Sequence, residues 1–227
     1  MTTQSSLLTK LALPSSLLLA TLALFESTNL DLWIQDHFYD FNTHHWLVDR
    51  SAFWPNLVFY DGAKNLIILL VLSIVIVLLL FRKRPLIQRY QRRLWLVVLA
   101  AITIPLLIGS LKATTNIPCP RDIERYGGSY PHVTLLHRYA DTYHPAEKQR
   151  CYPAGHASGG FALLALAFLF TAYRTRALVL FGVVTVATTM GVYKMLIGDH
   201  FLSHTLVTAL IAWIMVLGLA HLLNIDT

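Results

Sequence analysis

Cys151-Tyr152-Pro153-Ala154-Gly155-His156-Ala157-Ser158-Gly159-Gly160 is a turn of small residues carrying one histidine, and it runs directly into the apolar residues 161–173. Such a stretch reads as a loop entering a helix at a membrane surface. Proline presets one backbone angle and glycine permits close approach, so backbone N–H groups converge at a helix N-terminus, where they and the helix dipole favour an anion. A histidine placed there can exchange a proton with the bound group. The plainer alternative is a turn that only begins a membrane helix, with His156 as an interfacial residue. The rest of the chain has to decide between the two.

Composition sets the class. The 227 residues are 56% hydrophobic and 13% charged, and the apolar residues come in blocks near the ~20 that cross a bilayer core. Candidate spans are residues 7–25, 65–81, 94–111, 156–173, 177–196 and 204–223. They predict a single all-α domain over 1–227, a polytopic bundle of six transmembrane helices with both termini on one side. The first span carries only Lys10 before it and no small-x-small site after Phe25, so it reads as a span and not as a cleaved signal.

Short basic loops orient such a chain, with Lys and Arg on the cytoplasmic side. Residues 82–93, which include Arg82, Lys83, Arg84, Arg89, Arg92 and Arg93, and the pair Arg174 and Arg176 lie in the two loops assigned inside. Nearly all the acids and nine of the ten histidines then fall outside. The net charge of +6 reads as a basic collar against anionic lipid and not as a nucleic-acid surface. Cys119 and Cys151 share one predicted outer loop, and in an oxidising compartment such a pair persists as a disulfide.

Residues 26–64 are rich in aromatics, suiting an interfacial belt or helices lying on the membrane. His37, His44 and His45 there have no ligand spacing and read as surface residues. His132, His137 and His144 likewise show no metal-like register. Spans two and three look like plain lipid-facing scaffold. Chemistry begins at the end of span three, where Lys112 and Arg121 bracket Pro118-Cys119-Pro120, a stiff approach to a guanidinium suited to phosphate. It resumes at the end of span five, where Lys194 is followed by Gly198, Asp199, His200 and His204. Ionisable groups at membrane depth are functional candidates by default, and His200 and His204 at i,i+4 share a helical face.

Lys112, Arg121, His156, Lys194, His200 and His204 thus meet at one predicted outer face, without a carboxylate cluster for Mg²⁺. That combination favours an anionic substrate, phosphate above all, with cations neutralising its oxygens in place of a metal.

The pattern resembles the membrane-bound type 2 phosphatidic acid phosphatases, or lipid phosphate phosphatases. That family carries a lysine upstream of Arg-Pro, a Pro-Ser-Gly-His, and a Ser-Arg followed by a histidine and, four residues on, an aspartate. Lys112 with Arg121 is similar to the first, Pro153-Ala154-Gly155-His156 to the second, and Lys194, His200 and His204 to the third. The resemblance implies that His200 is the nucleophile of a phosphohistidine intermediate and that His156 is the general acid. Lys112, Arg121, Lys194 and Gly155 then hold the phosphate, and no metal or other cofactor is used. It also implies a lipid phosphate or diphosphate substrate, with undecaprenyl diphosphate, lipid A and phosphatidylglycerol phosphate as candidates. The setting it implies is a bacterial inner membrane with cytoplasmic termini and a periplasmic site.

The departures are specific. Lys112 and Arg121 stand further apart than in the family, Asp122 replaces the proline, Ala154 the serine and Lys194 the arginine. His204 stands where an aspartate orients the nucleophile, which leaves Asp199 as the neighbouring acid able to help. Rival readings are a phosphotransferase using the same residues, a non-catalytic lipid-binding or transport protein on this scaffold, and a metal or haem protein on His200 and His204. Against the last, the three clamp cations would repel a metal.

Overall fold

Backbone polar groups in hydrocarbon must be satisfied within the chain, so apolar blocks of this length become helices. The computed structural model describes residues 7–143 and 147–225; Met1 to Ser6 and His144 lie outside the described residues. The helices are α1 (Leu7–Ser27), α2 (Leu30–Asp36), α3 (Phe53–Asn56), α4 (Ala63–Leu80), α5 (Pro85–Thr115), α6 (Gly155–Ala162), α7 (Tyr173–Leu196) and α8 (Leu202–Leu222). A two-residue hairpin, β1 (Tyr39–Asp40) on β2 (His45–Trp46), sits between α2 and α3.

Five helical stretches are long and apolar enough to cross a membrane: α1, Phe53–Leu80, the one built on α5, α7 and α8. The expected fourth span at 156–173 is corrected by the structure. Gly155–Leu169 is an apolar helix of intermediate length, α-helical to Ala162 and wound as 3-10 turns over Leu163–Leu169.

Three further expectations change. Spans two and three are not equivalent lipid-facing scaffold. On α5, Leu96, Val97, Ala100, Ile104 and Ile108 are completely buried, and they form the core with Ala157, Phe161 and Ala165 of the α6 segment and Ala212 and Val216 of α8. The basic stretch is mostly not a loop, because Pro85 starts α5 and puts Arg89, Arg92 and Arg93 in its first turns. The aromatic segment is partly folded inward: Tyr39, Trp46 and Tyr126 pack together over Ile123 and Phe201, while Trp33, Phe53 and Trp54 remain exposed. His37, His44 and His45 are exposed, as expected.

Small residues explain the central place of the α6 segment. A Cβ on Gly160 would come within 2.9 Å of the Ala187 Cβ on α7, so these two backbones approach as closely as only glycine allows. Gly191 on α7 meets Thr205 on α8 in the same way. The three helices bearing the second and third motifs are thereby locked together at their ends.

Candidate active site

α7 ends at Leu196, and the chain must turn at once to begin α8 at Leu202. Gly198 makes the turn in the left-handed region, at φ +73°, and a side chain there would collide with the Trp46 ring. The Asp199 and His200 N–H groups both donate to the Lys194 carbonyl, at 2.8 and 3.2 Å. This hydrogen-bonded turn fixes Lys194, Asp199 and His200 relative to one another. The Gly198 carbonyl in turn accepts from the Arg121 N–H at 3.0 Å, tying the first motif to the third.

The second motif is strapped on both sides. Cys151 N–H donates to Ile117 O at 3.0 Å, Thr115 Oγ1 to Tyr152 O at 2.6 Å, and Ala154 N–H to His204 O at 3.1 Å. The expected disulfide is present: Cys119 and Cys151 are bonded, with their Cα atoms 5.1 Å apart. His156 then stands at the start of α6.

Lys112, Arg121, His156, Lys194 and His200 line one open cavity of about 370 Å³. The His156 and His200 ring centroids are 6.4 Å apart. Gly155 backs this wall: its Cβ position would lie 3.7 Å from Lys112 Nζ, ordinary contact distance. His204 does not line the cavity. It is buried behind His200, with the two Nδ1 atoms 3.4 Å apart, and it makes a further hydrogen bond to the Cys151 backbone. His200, in the turn between the spanning helices, is held well below the usual imidazole range by burial first and by nearby His204 and Lys112 next. It is therefore a neutral imidazole near pH 7.

Two carboxylates also reach this cavity, Asp61 and Asp199, where the sequence suggested none clustered. Asp199 does not help His200. Its Oδ2 accepts from Lys194 Nζ at 2.8 Å and its Oδ1 from Arg121, so the acid faces the cations. The His200 and His204 pair lies within metal-ligand distance of Cys151 Sγ, but that sulfur is bonded to Cys119 and offers no thiolate.

Several lining residues escaped the sequence reading: Arg50, Asn56, Tyr60 and Arg150. Tyr60 touches the chemistry directly. Its hydroxyl lies 2.9 Å from His156 Nε2, and Lys194 Nζ sits 3.8 Å from its ring centroid, a cation–π contact. Asn56 Oδ1 accepts from Tyr193 Oη at 2.7 Å, fastening the head of the α3–α4 helix to α7. The polar break Tyr60-Asp61-Gly62 just ahead of an apolar span was the available signal.

Fold and site define a class: an all-α chain with several helices able to cross a membrane, whose helix ends enclose a cationic cavity with two imidazoles. More particularly, the chain belongs to the PAP2 superfamily. That family's model matches residues 93–226, more than half of the chain, and the match includes Lys112, Arg121, His156, Lys194, His200 and His204. Members are phosphatases, so membership supports phosphatase-type activity on phosphate esters. No curated protein and no solved structure matches the chain.

Proposed function

We propose that this protein is a membrane phosphatase that removes phosphate from a lipid phosphate or diphosphate through a phosphohistidine on His200. The observation that carries the reading is the shared cavity, which puts two imidazoles within one ring diameter of a phosphoryl group and three cations around it. In the first step the lone pair on His200 Nε2 attacks phosphorus and the P–O bond to the lipid breaks. His156 gives its proton to the departing oxygen. Water then attacks the phosphohistidine, His156 takes back a proton, and the P–N bond breaks to release inorganic phosphate.

Placement of protons supports His200 as the attacking group. When His200 donates from Nδ1 to His204 Nδ1, its Nε2 is left with a free lone pair on the cavity side. His204 thus orients the ring, as the family aspartate does, though without a fixed negative charge. Tyr60 holds His156 by its Nε2 until a leaving oxygen takes that position. Lys112, Arg121 and Lys194 neutralise the equatorial oxygens, the task a metal performs elsewhere.

The membrane setting follows the same reasoning. Eight α-helical and seven 3-10 residues extend roughly 26 Å, close to the ~30 Å of a hydrocarbon core, so Gly155–Leu169 is read as a sixth crossing. Six crossings leave the termini and the Arg89–Arg93 end cytoplasmic and the cavity periplasmic, where a disulfide is stable. Substrate candidates are undecaprenyl diphosphate, lipid A and phosphatidylglycerol phosphate.

Phosphate release from these three lipids by purified protein in EDTA is the test. Activity should persist without metal and fall roughly 10²–10⁴-fold in His200→Ala and in His156→Ala. Activity that disappears with chelator and returns with Zn²⁺ overturns the metal-free mechanism.

A further inference from the structure

Asp199 is the one acid in direct contact with the proposed phosphate clamp. Its side chain is only 10% exposed, and both oxygens are engaged: Oδ2 with Lys194 Nζ, and Oδ1 with Arg121, with Arg50 Nε at 4.0 Å. The two cations that hold it are two of the three assigned to the phosphoryl group. A phosphoryl oxygen within reach of the same donors would stand against the carboxylate, and like charges in a partly desolvated site repel strongly. One anion has to leave.

The backbone allows the carboxylate to be that anion. Asp199 N–H remains anchored to the Lys194 carbonyl at 2.8 Å and the neighbouring His200 N–H to the same oxygen, so only the Asp199 side chain needs to rotate. The nucleophile keeps its position during the exchange. We propose that Asp199 is a resident anion in the phosphoryl subsite, and that it restricts the substrate to groups carrying a dianionic phosphate terminus. This rests on the phosphatase reading above and deepens it. Replacing one carboxylate charge with the single charge of a phosphodiester gains nothing for the clamp. Replacing it with the double charge of a phosphomonoester or a terminal diphosphate gains a full charge. Five cationic side chains line the cavity against two carboxylates, so the remaining field rewards that second charge. The substrate class is thereby a lipid phosphomonoester or diphosphate, with diesters excluded by electrostatics as well as by shape.

Calorimetric titration separates this from the catalytic reading, with inorganic phosphate and dimethyl phosphate as dianionic and monoanionic probes at pH 8 and constant salt. Wild-type protein should bind phosphate and prefer it to dimethyl phosphate. Asp199→Asn should tighten dimethyl phosphate by about tenfold, the scale of one charge-assisted contact, and so narrow the preference. Asp199→Ser should do the same, which guards against an effect peculiar to one variant. An unchanged preference in both variants, or weaker binding of both anions, overturns the proposal and makes Asp199 a brace for Arg121 and Lys194. Phosphate binding that is intact in a protein unable to hydrolyse any lipid phosphate sinks the phosphatase reading alone. Absence of phosphate binding in wild type and both variants sinks both.

Discussion

His200 faces an open cavity of about 370 Å³ walled by cations, whereas His204, four residues on, faces a closed one of about 30 Å³. The closed side is bounded by Phe201, Tyr152 and Val207 together with Asp31 and His132. The spacing that suggested two equivalent imidazoles therefore produces two different ones. One meets the substrate; the other meets only the back of the first. The contrast explains how a histidine can occupy an aspartate's position, because what the closed side offers His200 is a hydrogen-bond acceptor held by packing.

Opening the strap that joins the two sides should have the largest effect on stability. Cys119 lines the open cavity while the Cys151 backbone touches His204, and the bridge closes a separation of 32 residues. Reduction, or Cys119→Ser, should lower unfolding stability by roughly 3–4 kcal/mol and depress activity in parallel. Thermal melting and turnover measured with and without reductant check this, and an unchanged melting temperature denies the bridge that role.

Altering the acceptor behind His200 sharpens the contrast further. His204→Ala should reduce turnover about tenfold, the worth of one neutral hydrogen bond of ~1 kcal/mol, far less than His200→Ala. His204→Asp should match or exceed wild type, because it restores a charge that stabilises the imidazolium of the intermediate. If both variants turn over as wild type does, His204 only fills space.

The smallest effect is expected at Asp31, on the closed side. It accepts the Ser203 N–H at 2.9 Å near the start of α8, and burial, partly offset by the Ser203 and Leu202 hydrogen bonds, raises its carboxyl to about 6. A raised carboxyl favours the folded state fully below the unfolded value of ~3.9, and that contribution is lost as pH rises through about 6. Asp31→Asn keeps the acceptor and removes the charge. Its melting temperature should vary less than wild type's between pH 4 and 6, with a gain on the order of 1 kcal/mol at pH 7. A pH profile identical to wild type's would remove Asp31 from this account.

Much of the site was legible in the sequence because membrane proteins confine ionisable residues to places of use. Lys112, Arg121, His156, Lys194 and His200 stood out against apolar runs, and the fold brings all five to one cavity. The burial of α5 was not legible. In lipid the outer surface is as apolar as the core, so Leu96 and Ile104 carry no periodic mark that separates them from the lipid-facing Leu69 or Leu79. The Gly159-Gly160 pair and the alanines of α6 did carry such a mark, since small residues permit close helix approach. Arg50 and Tyr60 were missed for a different reason. They reach the cavity only because the aromatic segment before them folds back onto Phe201 and Ile123, a long-range contact no local pattern encodes.

The account turns on a phosphorus–nitrogen bond at His200. Purified protein mixed with a 32P-labelled lipid phosphomonoester and quenched within milliseconds in alkali should retain label on the peptide spanning His200. The label should be stable to base and labile to acid, and it should accumulate in His156→Ala supplied with a substrate whose leaving group needs no proton. Label that is absent under those conditions while turnover continues, or that maps to another residue, would contradict the mechanism.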